Sequence, residues 1–306
     1  MSIDWSHKHL IVLSGPTAVG KTALSLQLAG YFNTPIISAD SRQIYRRMNI
    51  GTAKPEQAIL DAVPHYFINH LDISTPYSAG AFEREALALV HRLFSASNVL
   101  LLAGGTGLYI DALCKGLDAL PDVPVAIKTA VLQEYDQKGL EPFLEELMIS
   151  DPDYYHRVDR YNPRRILRAI EVIRTSGKPL SSFRKNSPKS RLFQTHYILL
   201  QREKIALYER INQRVDDMIQ QGLIEEARSL LPLRSYRALD TVGYRELFEY
   251  FDGKYTLTEA IEKIKTNTRR YAKRQGTWFR RSDKWTSFPA DNEAAILDYL
   301  KATIEG

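Results

Sequence analysis

Leu10-Ile11-Val12-Leu13-Ser14-Gly15-Pro16-Thr17-Ala18-Val19-Gly20-Lys21-Thr22 decides how this chain is read. Its last eight residues fit G-x-x-x-x-G-K-[ST], a phosphate-binding loop, with an apolar strand before it and a helix-forming run, Thr22–Phe32, after it. The glycines let the backbone turn until successive N–H groups point at one anion, and the helix that follows adds the positive end of its dipole. Gly15, Pro16, Thr17, Ala18, Val19 and Gly20 form the cradle, Lys21 supplies a point charge and Thr22 a magnesium ligand. The chain is therefore expected to bind a diphosphate or a triphosphate such as ATP.

Outward from the loop, apolar runs at Leu10–Ser14, Pro35–Ser38, Phe67–Ile73, Val99–Ala103 and Tyr197–Leu200 predict buried parallel strands. Helical patterns lie between and after them, at Gly80–Phe94, Glu203–Gln221, Ile224–Leu230, Tyr244–Tyr250 and Thr258–Arg274. Alternation of this kind predicts an α/β fold, a P-loop NTPase-like parallel sheet with helices on both faces. Residues 1–116 and 196–306 are expected to form this core. Residues 117–195 read as a helical insertion domain that opens at Pro121 and Pro124, carries helices through Ile127–Leu147 and Arg164–Arg174, and returns through a mobile Ser176–Ser190.

The 306 residues carry a net charge of +5, and Cys114 is the one cysteine, which excludes disulfides within the chain and Cys-rich zinc sites. No segment approaches the length of a membrane span, and the first apolar run is too short for a signal peptide, so a cytoplasmic protein is expected. The positive charge is clustered. Lys263, Lys265, Arg269, Arg270, Lys273, Arg274, Arg280 and Arg281 run without an acidic residue between them, and Tyr271, Trp278 and Phe279 are interleaved. Arg157, Arg160, Arg164, Arg165, Arg168 and Arg174 form a second group on the insertion. Two separated basic surfaces suit a folded RNA better than a mononucleotide.

Asp40, in Ser38-Ala39-Asp40-Ser41-Arg42-Gln43-Ile44-Tyr45, follows the second strand, expected beside the P-loop strand, and so should face the phosphates. It reads as a general base or a magnesium-site carboxylate, with a cap on a following helix as the structural alternative. Ala103-Gly104-Gly105-Thr106-Gly107 stands where many P-loop ATPases carry an acidic residue, which argues against a motor or switch NTPase and suggests close backbone approach to a substrate with Thr106 as a donor. Asp240-Thr241-Val242-Gly243 matches a GTPase DxxG by letters alone. His65, His70 and Asp72 lack metal-site spacing and read as structural, and Asp216-Asp217 is not the DDxxD of chain-elongating prenyl synthases.

Taken in order, the P-loop, Ser38–Tyr45, Ile50-Gly51-Thr52-Ala53-Lys54-Pro55, Ala103–Tyr109, Asn162-Pro163-Arg164-Arg165, Val242-Gly243-Tyr244-Arg245 and Lys273-Arg274-Gln275 closely resemble the bacterial tRNA dimethylallyltransferase family over nearly the whole chain. The resemblance implies transfer of a dimethylallyl group from dimethylallyl diphosphate to the N6 amine of the adenine 3′ of the anticodon, in tRNAs reading codons that begin with U. Magnesium is the implied cofactor, the anticodon stem-loop the implied partner and a monomer the implied state. Carried over by position, Asp40 handles the N6 proton, and Arg214 joins Lys21 and Thr22 on the diphosphate. Ser41, Arg42, Gln43, Thr106 and Lys128 contact tRNA. Arg164, Arg165, Ile166, Leu167 and Arg168 grip it from the insertion. Asp240, Thr241, Val242, Gly243, Tyr244 and Arg245, then Lys273, Arg274, Gln275, Gly276, Thr277, Trp278, Phe279 and Arg280, line the anticodon-loop side. Gly276, where a larger residue is usual, and Lys128, where arginine is common, depart from the family pattern, and the zinc-finger extension of eukaryotic relatives does not follow the basic cluster. The alternatives are a small-metabolite or nucleotide kinase, an adenylate-prenylating relative and a nucleotide-gated RNA-binding protein.

Overall fold

In the computed structural model, which describes residues 4–184, 187 and 189–305, the opening apolar run becomes an interior strand of a parallel sheet. The strands are β1 (His9–Ser14), β2 (Ile36–Ser38), β3 (His65–Tyr66), β4 (Val99–Gly104), β5 (Gln194–Gln201) and β6 (Thr286–Pro289). Their order is β3-β2-β4-β1-β5-β6, and every pairing is parallel. Because side chains alternate along a strand, Leu10 and Val12 face one layer, with Phe82, Val90 and Phe94, while Ile11 and Leu13 face the other, with Leu24, Leu28 and Ile296. All four of these side chains are fully buried, which is why the run Leu10–Leu13 has no polar face in sequence.

The chain divides into two compact units, Met1–Lys115 with Ser190–Gly306, and Gly116–Lys189. In the smaller one, helices Val125–Lys138, Glu141–Ser150 and Pro163–Ser176 enclose Val131, Phe143, Leu147, Ile166 and Ile170. The helical stretch expected over 127–147 holds two helices, because Gly139 takes φ +72 and its N–H closes on the Tyr135 carbonyl. Asn162 caps the Pro163–Ser176 helix through the Arg165 N–H, with Pro163 in its first turn. Ser176–Ser190, read as mobile, includes Lys185, Asn186 and Pro188, which lie outside the described residues, while Leu180–Phe183 is a helical turn whose Leu180 is buried in the core of this unit.

The larger unit resumes at Ser190, earlier than the expected boundary at 195. Arg191 explains this, since it donates to the carbonyls of Leu113 and Ala112 and pairs with Glu83 at 3.0 Å. The strand expected over Phe67–Ile73 is another correction. Only His65–Tyr66 pairs in the ladder, because Phe67 and Asn69 adopt positive φ and turn the chain so that the His70 and Leu71 N–H groups both bond the Ile44 carbonyl. Strand β6 and the final helix, Glu293–Ile304, escaped the sequence reading: β6 is short and its partner lies some ninety residues upstream. Among the described residues no helix is long and apolar enough to cross a membrane.

On neighbouring strands, His9 Nδ1 and His196 Nε2 lie 3.0 Å apart, and burial together with nearby imidazole charge lowers both pKa values below the ordinary 6.5. A lowered histidine pKa means the unfolded chain binds protons first as pH falls, so this pair contributes stability above pH 6.5 and loses it below. Urea unfolding at pH 7.5 and 5.5 should therefore show wild type losing more stability on acidification than His196→Gln. Equal losses would contradict the role.

Candidate active site

At the carboxyl end of β1 the chain turns through Gly15–Gly20, with Gly20 at φ +124, a conformation closed to ordinary side chains, and enters the helix Lys21–Tyr31. The Lys21 ammonium folds back to donate to the Gly15 and Pro16 carbonyls at 2.9 and 2.8 Å. Burial and the neighbouring Arg214 push its pKa down to about 7, against an opposing pull from Asp40. Arg214, on the helix Lys204–Gln220, donates to the Thr17 hydroxyl at 3.2 Å and is itself depressed by burial. Two cations are thus held where backbone N–H groups and a helix N-terminus already favour an anion.

Asp40 reaches the same place by a route the sequence did not reveal. Strand β2 does not adjoin β1; β4 stands between them. Just past the end of β2, the Ala39 backbone approaches Gly104 so closely that a Cβ there would lie 2.3 Å from the Ala39 carbonyl oxygen. Asp40 Oδ1 accepts the Arg42 and Gln43 N–H groups at 2.8 and 3.2 Å. These bonds form a local turn with no helix after it, so the helix-cap alternative takes this reduced form.

Two cavities meet at Asp40. One, of about 650 Å³, opens over the P-loop between Lys21, Thr22, Gln43 and Asp217. The other, of about 200 Å³, has apolar walls from Ile211, Val215, Met218, Leu223, Val242 and Ile264. Thr17, Asp40, Thr52, Arg214 and Tyr271 line both.

Several residues expected to touch tRNA make bonds within the protein. Thr106 Oγ1 accepts the Ser41 N–H, Gln43 donates to the Thr52 and Ala53 carbonyls, and Arg42 donates to those of Arg237, Ala238 and Asp240. Thr241, Val242 and Gly243 line the apolar cavity. Arg245 is exposed and pairs with Asp240, but Tyr244 is fully buried and donates to Glu226. Glu226 also accepts the N–H groups of Asn49, Ile50 and Gly51, and it was missed because an acidic residue inside an amphipathic helix carries no local signal.

The basic run lies on the helix Leu257–Phe279 and just beyond it. Lys273, Arg274, Thr277 and Arg280 are exposed, whereas Gln275 and Phe279 point inward and Trp278 donates to Asp111. Lys265 pairs with Asp216 and Glu262, so its charge is compensated internally, while Arg269 keeps its charge and donates to Asn212 and Thr266. Gly276 has room for a side chain, whose nearest neighbour would be Arg280 at 3.7 Å. Within the insertion unit Lys128, Arg164 and Arg165 are exposed and Leu167 half-buried, while Ile166 is core. Arg168 pairs with Glu171, and Arg174 with Glu134 and Glu146. His65 bonds the Val63 carbonyl and His70 meets Glu85; no cluster of three metal-ligating side chains occurs among the described residues.

The family model for IPP transferases matches residues 43–282. The chain is 47% identical over 292 residues to tRNA dimethylallyltransferase 1 of Bacteroides thetaiotaomicron, covering 95% of each. It is also 47% identical to the corresponding enzyme of Bacteroides fragilis, over 97% of this chain and 99% of the relative. Among solved structures, a tRNA isopentenylpyrophosphate transferase from Bacillus halodurans superposes with TM-score 0.72 at 35% identity, covering 98% of this chain and 97% of the other. A eukaryotic dimethylallyltransferase acting on tRNA superposes with TM-score 0.77 at 26% identity, over 97% of this chain and 77% of that one.

A lysine with a pKa of about 7 is mostly neutral at pH 8, and a bound diphosphate would raise that pKa. Binding at pH 8 should therefore take up a proton, approaching about one per site. Calorimetry in buffers of different ionisation heat measures this, and uptake should shrink in Lys21→Arg, which stays charged.

Proposed function

This chain belongs to the IPP transferase family, and on that footing we propose that it transfers the dimethylallyl group of dimethylallyl diphosphate to the N6 amine of the adenine 3′ of the anticodon. The tRNAs concerned read codons beginning with U, and the products are N6-dimethylallyladenosine and diphosphate. The observation that carries this reading is the pair of cavities sharing Asp40 and Arg214, one over a phosphate-binding loop and the other apolar. A prenyl diphosphate has just those two ends.

The amine of adenine is a weak nucleophile because its lone pair is delocalised into the ring. Its attack on the allylic carbon forms the N6–C bond, breaks the C–O bond to diphosphate and leaves a proton on nitrogen. Asp40, at the junction of the cavities, takes that proton. The P-loop amides, Lys21 and Arg214 stabilise the charge that develops on the departing diphosphate, and burial strengthens each of these interactions. The apolar walls keep water from an electron-poor allyl group. The adenine must leave the anticodon-loop stack to reach Asp40, so base extrusion accompanies binding.

Magnesium fits the donors present. Thr22 and Asp40 both line the P-loop cavity, and hard oxygen donors in small number are what this ion takes alongside phosphate oxygens and water. When bound, it supplies positive charge to the diphosphate. The exposed Lys273, Arg274 and Arg280, with the exposed Lys128 and Arg165 of the insertion, are cations that would meet the tRNA backbone.

The direct test is the mass of unmodified tRNA after incubation with protein, magnesium and dimethylallyl diphosphate. One dimethylallyl unit should be gained, and lost when the target adenine is replaced; no gain overturns the reading. Asp40→Asn preserves the acceptor for Arg42 and Gln43 but not the base, and should lower turnover by about 10²–10⁴ with tRNA affinity kept. Replacing Lys273 and Arg274 together with alanine should flatten the salt dependence of tRNA binding by about one to two units of slope. An unchanged slope would remove that surface from the interface.

A further inference from the structure

We propose that Gln275 is a positioning residue of the diphosphate-binding loop and not a contact to RNA. It lies between Arg274 and Gly276 in a basic segment whose outward side chains face solvent, yet Gln275 itself is 7% exposed. Helical spacing puts it on the inner face with Ala272 and Phe279, both buried, while Lys273 and Arg274 project outward. Both ends of its amide are committed. The side-chain oxygen accepts the Thr17 N–H at 2.9 Å, and the side-chain nitrogen donates to the Gly105 carbonyl at 2.9 Å.

These two bonds tie the P-loop after β1 to the glycine loop after β4. Thr17 is the middle of that tie, since its hydroxyl accepts Arg214 while its N–H is held by Gln275. Gln275 thus fixes the orientation of the loop and, through Thr17, the seat of Arg214. Its neighbour Gly105 is shaped to admit it: a Cβ at Gly105 would stand 2.3 Å from the Gln275 side-chain nitrogen, with nothing else closer than 3.5 Å. The room left at Gly105 is filled by the glutamine amide, whose geometry therefore depends on that position having no side chain.

The inference rests on the proposed reaction, and the tests read binding so that the two can fail separately. In Gln275→Met, which keeps the bulk and removes both bonds, the Kd for dimethylallyl diphosphate measured without tRNA should rise about tenfold or more. The Kd for unmodified tRNA measured without prenyl diphosphate should stay within about twofold. Lys273→Ala should give the reverse pattern. Gly105→Ala, which displaces the amide while Gln275 is intact, should weaken prenyl-diphosphate binding alone and add little in the Gln275→Met background. It carries the test by itself should Gln275→Met fail to fold. Loss of tRNA affinity with prenyl-diphosphate affinity kept, equal loss of both, or no change in either overturns the proposal. A wild-type protein that binds dimethylallyl diphosphate tightly but leaves tRNA unmodified counts against the reaction and not against Gln275.

Discussion

The backbone of Ala39 runs against Gly104 so closely that the two strand ends leave no space for a side chain. The rest of the site depends on this approach. Strand β2 is separated from β1 by β4, yet Asp40 just past its end lines the cavity over the P-loop. Two backbone bonds hold the approach of Ala39 to Gly104, Ala39 N–H to the Ala103 carbonyl and Thr106 N–H to the Ala39 carbonyl. Asp40 lines the same cavity as Lys21 and Arg214, two buried basic groups. A phosphate group bound there would hold Lys21 in its charged form.

The helix Leu257–Phe279 serves two surfaces because a helix repeats every 3.6 residues. Its inner stripe, Ala260, Ile264, Ala272, Gln275 and Phe279, is buried within the large unit. Its outer stripe carries Lys273 and Arg274, while Lys265 pairs with Asp216. Ile264, Thr268 and Tyr271 complete the apolar cavity from the same helix. One element therefore contributes a wall to the apolar cavity, a tether to the phosphate loop and a basic face toward solvent. The loop over residues 49–51 is held comparably, by a Glu226 carboxylate that accepts three backbone N–H groups and the Tyr244 hydroxyl.

Local chemistry made much of this legible. The P-loop, the parallel α/β sheet and the helix through Arg164–Arg174 are written in short stretches whose physics is complete within a few residues. The errors fall where a distant partner decides. Phe67–Ile73 has the composition of a strand, but positive φ at Phe67 and Asn69 turns it away to bond Ile44. Strand β6 exists because β5 offers an edge to pair with.

The site divides in the same way. Sequence by itself determined that a diphosphate loop, a strand-end aspartate and an unbroken basic run occur in one chain, because residue type and spacing suffice for each. Tertiary structure alone decided that β4 lies between Asp40 and the P-loop strand, that an apolar cavity closes beside them, and which members of the RNA-facing motifs point inward. Tyr244, Gln275 and Phe279 sit within segments read as RNA contacts, and their side chains are interior. Spacing along a helix says which residues share a face. What that face meets is set by elements far off in sequence, here Gly105 and Thr17 for Gln275 and Glu226 for Tyr244.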